Sequence, residues 1–88
     1  MNTYFQYTLD TKKLHKLGAN WLNIVMDIDE LMKSKGFKYS RTLGYEKRGT
    51  LPKEEILQLS AEIMEIGLGP KYFIVCNLYT GSTTSIEF

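Results

Sequence analysis

The sequence is poor in the residues that build metal and disulfide sites: among 88 residues there is one cysteine, Cys76, and one histidine, His15. A lone cysteine excludes an internal disulfide framework and fits a reducing compartment. One histidine and one cysteine far apart provide no metal-ligand spacing. No HExxH, nucleophile elbow or glycine-rich phosphate loop is present. Gly67-Leu68-Gly69-Pro70 follows a helical stretch and reads as a helix stop, because a phosphate cradle follows a strand. Charge of one sign is also lacking. Eleven Lys and Arg face ten Asp and Glu, a formal charge of +1, which excludes the overall surplus of a nucleic-acid binder and leaves only local patches. No apolar run approaches the roughly 18 residues that a membrane helix needs. The chain does not open on a basic region followed by an apolar stretch. The expected location is cytoplasmic, with no membrane.

What is present is globular: 43% of residues are hydrophobic and 24% charged. The length allows one domain, residues 1–88. A domain this small buries only somewhat more than roughly 60% of its unfolded surface, so its stability is marginal and often shared with a second subunit. Six tyrosines bring large apolar area with a polar tip, which suits interfaces as well as cores.

Residues 3–9 alternate, with Phe5, Tyr7 and Leu9 on one face and Tyr4, Gln6 and Thr8 on the other, the period of a half-buried strand. Residues 11–18, with Lys12, Lys13, His15 and Lys16, read as a basic connection with room for a helical turn. Asn20 caps an amphipathic helix over residues 20–34, where Trp21, Ile24, Val25, Ile28, Leu31 and Met32 recur at helical spacing. Asp27, Asp29, Glu30 and Lys33 take its solvated side, and Gly36 ends it. Residues 37–43 form a second strand, Gly44 a bend or bulge, and residues 45–48 a third strand. Thr50-Leu51-Pro52 opens a second helix whose stripe is Ile56, Leu59, Ile63 and Ile66, with Glu54 and Glu55 complementing its dipole. Residues 71–79 are apolar on both faces up to Val75, which suits a central strand covered on two sides. Gly81-Ser82 is a turn before a final edge strand over residues 83–88.

The order βαββαβ, with a tail strand added and right-handed crossovers, places both helices on one face of an antiparallel sheet. The expected fold is therefore an α+β, ferredoxin-like two-layer sandwich with its other sheet face free for a partner.

Two groups of residues carry candidate chemistry. Thr8 and Asp10 end the first strand, where an acid can bind a divalent ion or a ribose hydroxyl, or simply cap the following turn. His15 is an exposed loop histidine, or a general acid or base beside an RNA phosphate. Cys76 reads as a small core hydrophobe. Arg41, Lys47 and Arg48 interleave with Tyr39 and Tyr45 on strands two and three. A basic, aromatic surface suits single-stranded nucleic acid, and an ordinary charged edge hairpin is the alternative.

The run from Asn23 through Ile28 and Met32 to Gly36-Phe37-Lys38-Tyr39-Ser40, then Tyr45 and Thr50-Leu51, resembles the virulence-associated protein D (VapD) family. That family similarly has an amphipathic helix ending in Gly-Phe, then an aromatic, a small hydroxyl residue and a Tyr a few positions on. The opening YFQYTLDTKKL is similar to its first strand and following turn. The resemblance implies a ferredoxin-like subunit, a homodimer and an endoribonuclease activity of the toxin–antitoxin type; the CRISPR-associated adaptation-complex endoribonucleases share that fold. The family's strand-one Asp falls at Thr8 here, with Asp10 two residues later. Its Gln-Gly-Ser stretch is Arg41-Thr42-Leu43, with Gly44 displaced, and the C-terminal strand also differs.

Two functions are therefore expected. In the first, two subunits pair through Tyr4, Gln6, Thr8 and the C-terminal strand, and RNA lies in the groove between them. Asp10 or His15, beside Thr8, would orient the 2′-hydroxyl, and Arg41, Lys47 or Arg48 would stabilise phosphate charge. No cofactor is obligatory, with a divalent metal at Asp10 left open. In the second, the chain is a non-enzymatic protein-binding module: an antitoxin, a phage-encoded inhibitor or a regulatory subunit.

Overall fold

The computed structural model describes residues 1–41, 44–80 and the backbone of 84–87. Five strands, β1 (Asn2–Leu9), β2 (Lys38–Ser40), β3 (Gly44–Arg48), β4 (Phe73–Thr80) and β5 (Thr84–Glu87), form one sheet in the order β2-β3-β1-β4-β5. Every neighbouring pair is antiparallel. Three helices join them: α1 (Thr11–Leu17), α2 (Trp21–Ser34) and α3 (Lys53–Ile66). The chain is thus an α+β domain with an open antiparallel sheet.

The period-2 pattern of β1 decides which side is covered. Thr3, Phe5 and Leu9 are buried, whereas Tyr4 and Gln6 are partly exposed and Thr8 is exposed. Phe5 and Leu9 join Tyr45 of β3 and Cys76 and Leu78 of β4 in one core. Ile24, Ile28 and Met32 of α2 and Ile56, Leu59 and Ile63 of α3 pack into the same core. Both helical stripes therefore cover one side of the sheet. Burial of each such aliphatic side chain contributes about 1.5–3 kcal/mol. Two polar residues on the covered side satisfy each other: the Thr3 and Thr80 hydroxyls lie 3.0 Å apart, and Thr3 Oγ1 donates to the Gly49 carbonyl at 2.8 Å.

The structure changes the sequence reading in several places. Residues 11–18 are not a connection with a turn but a helix of seven residues, α1, whose Leu14 is fully buried. Asp10 Oδ1 accepts the Lys13 amide at its start, and Gly18, with φ +82°, closes it. Strand β4 is covered on one side rather than two. Val75 pairs with Thr8 on the bare face and is 42% exposed, and Ile74 sits at a register shift opposite Thr8 and Leu9 and is 65% exposed. Lys71 and Tyr72 lie in a short 3₁₀ turn before β4 instead of within it. Trp21, expected in the buried stripe of α2, starts the helix and is 41% exposed.

The second strand is shorter than expected, with Phe37 buried ahead of it. Thr42 and Leu43 of that expected strand, the Gly81-Ser82 turn, Thr83 and Phe88 lie outside the described residues. Asn20 caps α2 as expected, its side chain accepting the Leu22 amide at 3.1 Å.

Candidate functional site

Strand alternation and helix packing separate the three candidate catalytic residues. Thr8 projects from the bare face of β1. Asp10 stands just past the strand, its Oδ1 accepting the Lys13 amide as the cap of α1. His15 is exposed on α1, the helix that inserts Leu14 into the core on the covered side. Thr8 and His15 thus belong to different layers.

The basic and aromatic residues of strands two and three divide between the two faces of the sheet. Lys47 pairs with Thr3 and Tyr45 with Phe5, so both face the covered side; Arg48 pairs with Asn2 and faces the bare side. The Lys47 ammonium donates to the Lys35 carbonyl at 2.7 Å, completing the carboxyl end of α2, with the Phe37 ring centroid 6.0 Å away. Tyr45 is only 4% exposed, so its ring is not a platform open to solvent.

What remains together is Tyr39, Arg41 and Tyr45. They line a cleft of about 510 Å³ with Tyr7, Asp29 and Val25, at the end of the sheet beside α2. The Tyr45 hydroxyl donates to Asp29 Oδ1 at 2.7 Å, and Lys33, one turn along α2, pairs with Oδ2 at 3.0 Å. These hydrogen bonds, that from Tyr45 first, hold the Asp29 carboxyl below the ordinary carboxylate range. Asp29 is therefore not simply on the solvated side of its helix. Burial, with the Asp29 charge second, pushes the Tyr7 phenol up to about 12. Burial, then the hydrogen bond to Asp29, raises Tyr45 as well. Both phenols stay neutral donors at any physiological pH. The exposed Tyr39 ring meets Tyr45 edge-on, with centroids 5.4 Å apart and planes at 66°.

Asp29 and Tyr7 were missed as members of a site. Tyr7 could have been placed, since it shares the covered face with Phe5 and Leu9. Asp29 carried only a faint signal: it follows Ile28 and lies one turn after Val25, on the flank of the buried stripe.

The bare face differs in character. Tyr4 stacks on Tyr79 with centroids 5.2 Å apart, across the paired strands β1 and β4. Gln6 lies opposite Asn77 beside this stack, and Val75 opposite Thr8. On β3 the bare face carries Glu46 and Arg48, with Lys38 of β2 opposite Glu46.

Among the described residues, no group of three or more His, Cys, Asp and Glu could hold a metal ion. Cys76 is buried, and burial pushes its thiol up to about 12. No described helix is long and apolar enough to cross a membrane. No family model, curated protein or solved structure matches the chain.

Proposed function

We propose that this chain is a non-enzymatic, ferredoxin-like protein-binding module whose first partner is a second copy of itself, joined through the bare sheet face. The order β2-β3-β1-β4, antiparallel throughout with helices on one side, is the strand order of a ferredoxin-like sandwich. The observation that carries the reading is the bare face itself. The stacked Tyr4–Tyr79 pair and the exposed Val75 form an apolar centre beside the neutral Gln6 and Asn77. Glu46 lies between the basic residues Lys38 and Arg48 at one side. A two-fold interface brings the same patch against itself, so a patch with an apolar centre and both signs of charge can match its own copy.

The second reading, a VapD-like endoribonuclease, is favoured by a different observation. An exposed Thr8 near the end of β1 and a partly exposed Asp10 just past it stand where the resemblance puts an acid. Incubation of the pure protein and of a Thr8→Ala, Asp10→Ala, His15→Ala triple variant with structured and unstructured RNA separates the two. The binding module leaves RNA intact. Cleavage by the parent chain that the triple variant loses overturns the module in favour of the nuclease.

A further inference from the structure

The cleft at the end of the sheet beside α2, with Tyr7, Asp29, Tyr39 and Arg41 in its wall, has a chemistry that neither homodimerisation nor the Thr8–Asp10 end of β1 uses. Among the described residues, the Arg41 guanidinium makes no hydrogen bond or ion pair, and neither do the hydroxyls of Tyr7 and Tyr39; all three side chains line the cleft. Opposite them is one carboxylate, Asp29, with each oxygen already accepting one hydrogen bond. A carboxylate oxygen has room for a second, so Asp29 offers two adjacent acceptor positions.

We infer that this cleft binds one guanine nucleotide unit, with the base against Tyr39, its Watson–Crick edge on Asp29 and its phosphate on Arg41. A planar ring fits because Tyr39 is 63% exposed and already set edge-on to Tyr45, which leaves it as a stacking platform. Guanine presents two parallel donors, N1–H and the exocyclic amine, to a fixed carboxylate. Adenine puts an acceptor in place of the first donor and meets repulsion. The neutral Tyr7 hydroxyl supplies a donor for guanine O6. Arg41 takes the phosphate through its forked N–H groups. A cationic ligand is disfavoured because Arg41 lines the cleft and Lys33 sits on its carboxylate. The volume, about 510 Å³, lies within the range of small-ligand sites. The inference does not rest on the proposed function: Gln6 of the bare face also lines the cleft, but no step of the recognition uses it.

Calorimetric titration of the full chain with guanosine monophosphate, adenosine monophosphate, guanosine, inorganic phosphate and a short oligonucleotide containing a single guanine tests it. The guanine monophosphate is expected to bind at least tenfold more tightly than the adenine monophosphate, guanosine or phosphate. If the oligonucleotide matches or exceeds the monophosphate, the unit is read within a strand; if the monophosphate alone binds, it is read free. Arg41→Ala should remove the advantage over guanosine, and Asp29→Asn the advantage over adenine. Tyr39→Ala should weaken all nucleotides alike. Arg41 and Tyr39 are exposed and hold no hydrogen bond among the described residues, so their variants fold even if Asp29→Asn does not. Equal binding of the two monophosphates, no binding at millimolar ligand, or affinity unchanged in the Arg41→Ala, Tyr39→Ala double variant overturns the inference.

Discussion

Substituting three glycines by alanine separates backbone strain from steric contact and tests the pairing at the centre of the sheet. Gly49 has φ +92° and nothing within 4 Å of the site where a Cβ would stand. Gly49→Ala therefore reports strain alone, about 1–2 kcal/mol for a residue held in the left-handed region. Gly67 has ordinary negative φ, and a Cβ there would overlap the Phe73 ring. Gly67→Ala reports contact alone, about 1–3 kcal/mol for overpacking. Gly44 combines both: φ is +75° and a Cβ would stand 2.5 Å from the Phe5 carbonyl oxygen. That oxygen is backbone in β1, where Phe5 pairs with Tyr45, so it cannot yield without disturbing the strand pairing. Gly44→Ala should cost about 2–5 kcal/mol, a large share of the roughly 4–13 kcal/mol available to a domain of this length. Urea unfolding followed by far-ultraviolet dichroism measures all three. With a slope of ~1 kcal/mol/M, the Gly44→Ala midpoint should fall by about 2–5 M and the Gly49→Ala midpoint by about 1–2 M. A Gly44→Ala midpoint no lower than that of Gly49→Ala would refute the close approach of β3 to β1.

Three further perturbations probe the site and its supports. The Tyr7 phenol is raised in the folded protein from 10.0 to about 12; its stabilising contribution is complete below pH 10.0 and declines as pH rises towards 12. Ultraviolet titration should show a tyrosine ionising near 12, missing from Tyr7→Phe, and a normal phenol there contradicts the burial. Asp29 is lowered, so its contribution is complete above the ordinary value of 3.8 and is lost as pH falls through the lower folded value. Asp29→Asn should flatten that acid limb in thermal melts across low pH, and an unchanged limb would mean that the Tyr45 contact carries no weight. Asp10→Ala removes the cap of α1 and should cost about 1 kcal/mol, seen as faster amide exchange over Thr11–Leu17. Exchange that stays unchanged there removes the capping role.

Helix α2 was legible because its stripe is a local property. Ile24, Ile28 and Met32 recur at four-residue spacing between an Asn cap and a terminal glycine, and all three are buried. Helix α3 followed the same rule through Ile56, Leu59 and Ile63. Helix α1 was not legible: a seven-residue helix shows barely two turns of periodicity and buries only Leu14. The apolar run of β4 misled because a strand does not encode whether a second layer exists to cover it; here none of the described helices lies over Val75. The split of Lys47 from Arg48 was readable in principle, since neighbours on a strand face opposite sides. The Asp29–Tyr45 hydrogen bond was not, since it joins a helix to a strand sixteen residues away, and such a contact exists only once the layers have packed.

The claim that the bare face pairs with its own copy is tested most directly by isotope-filtered nuclear Overhauser spectra on an equal mixture of labelled and unlabelled chain. Intermolecular cross-peaks are expected to the rings of Tyr4 and Tyr79 and to the methyls of Val75. A spectrum without such peaks at tens of micromolar and above, or with peaks only to the exposed Leu22 and Met26 of α2, would contradict it.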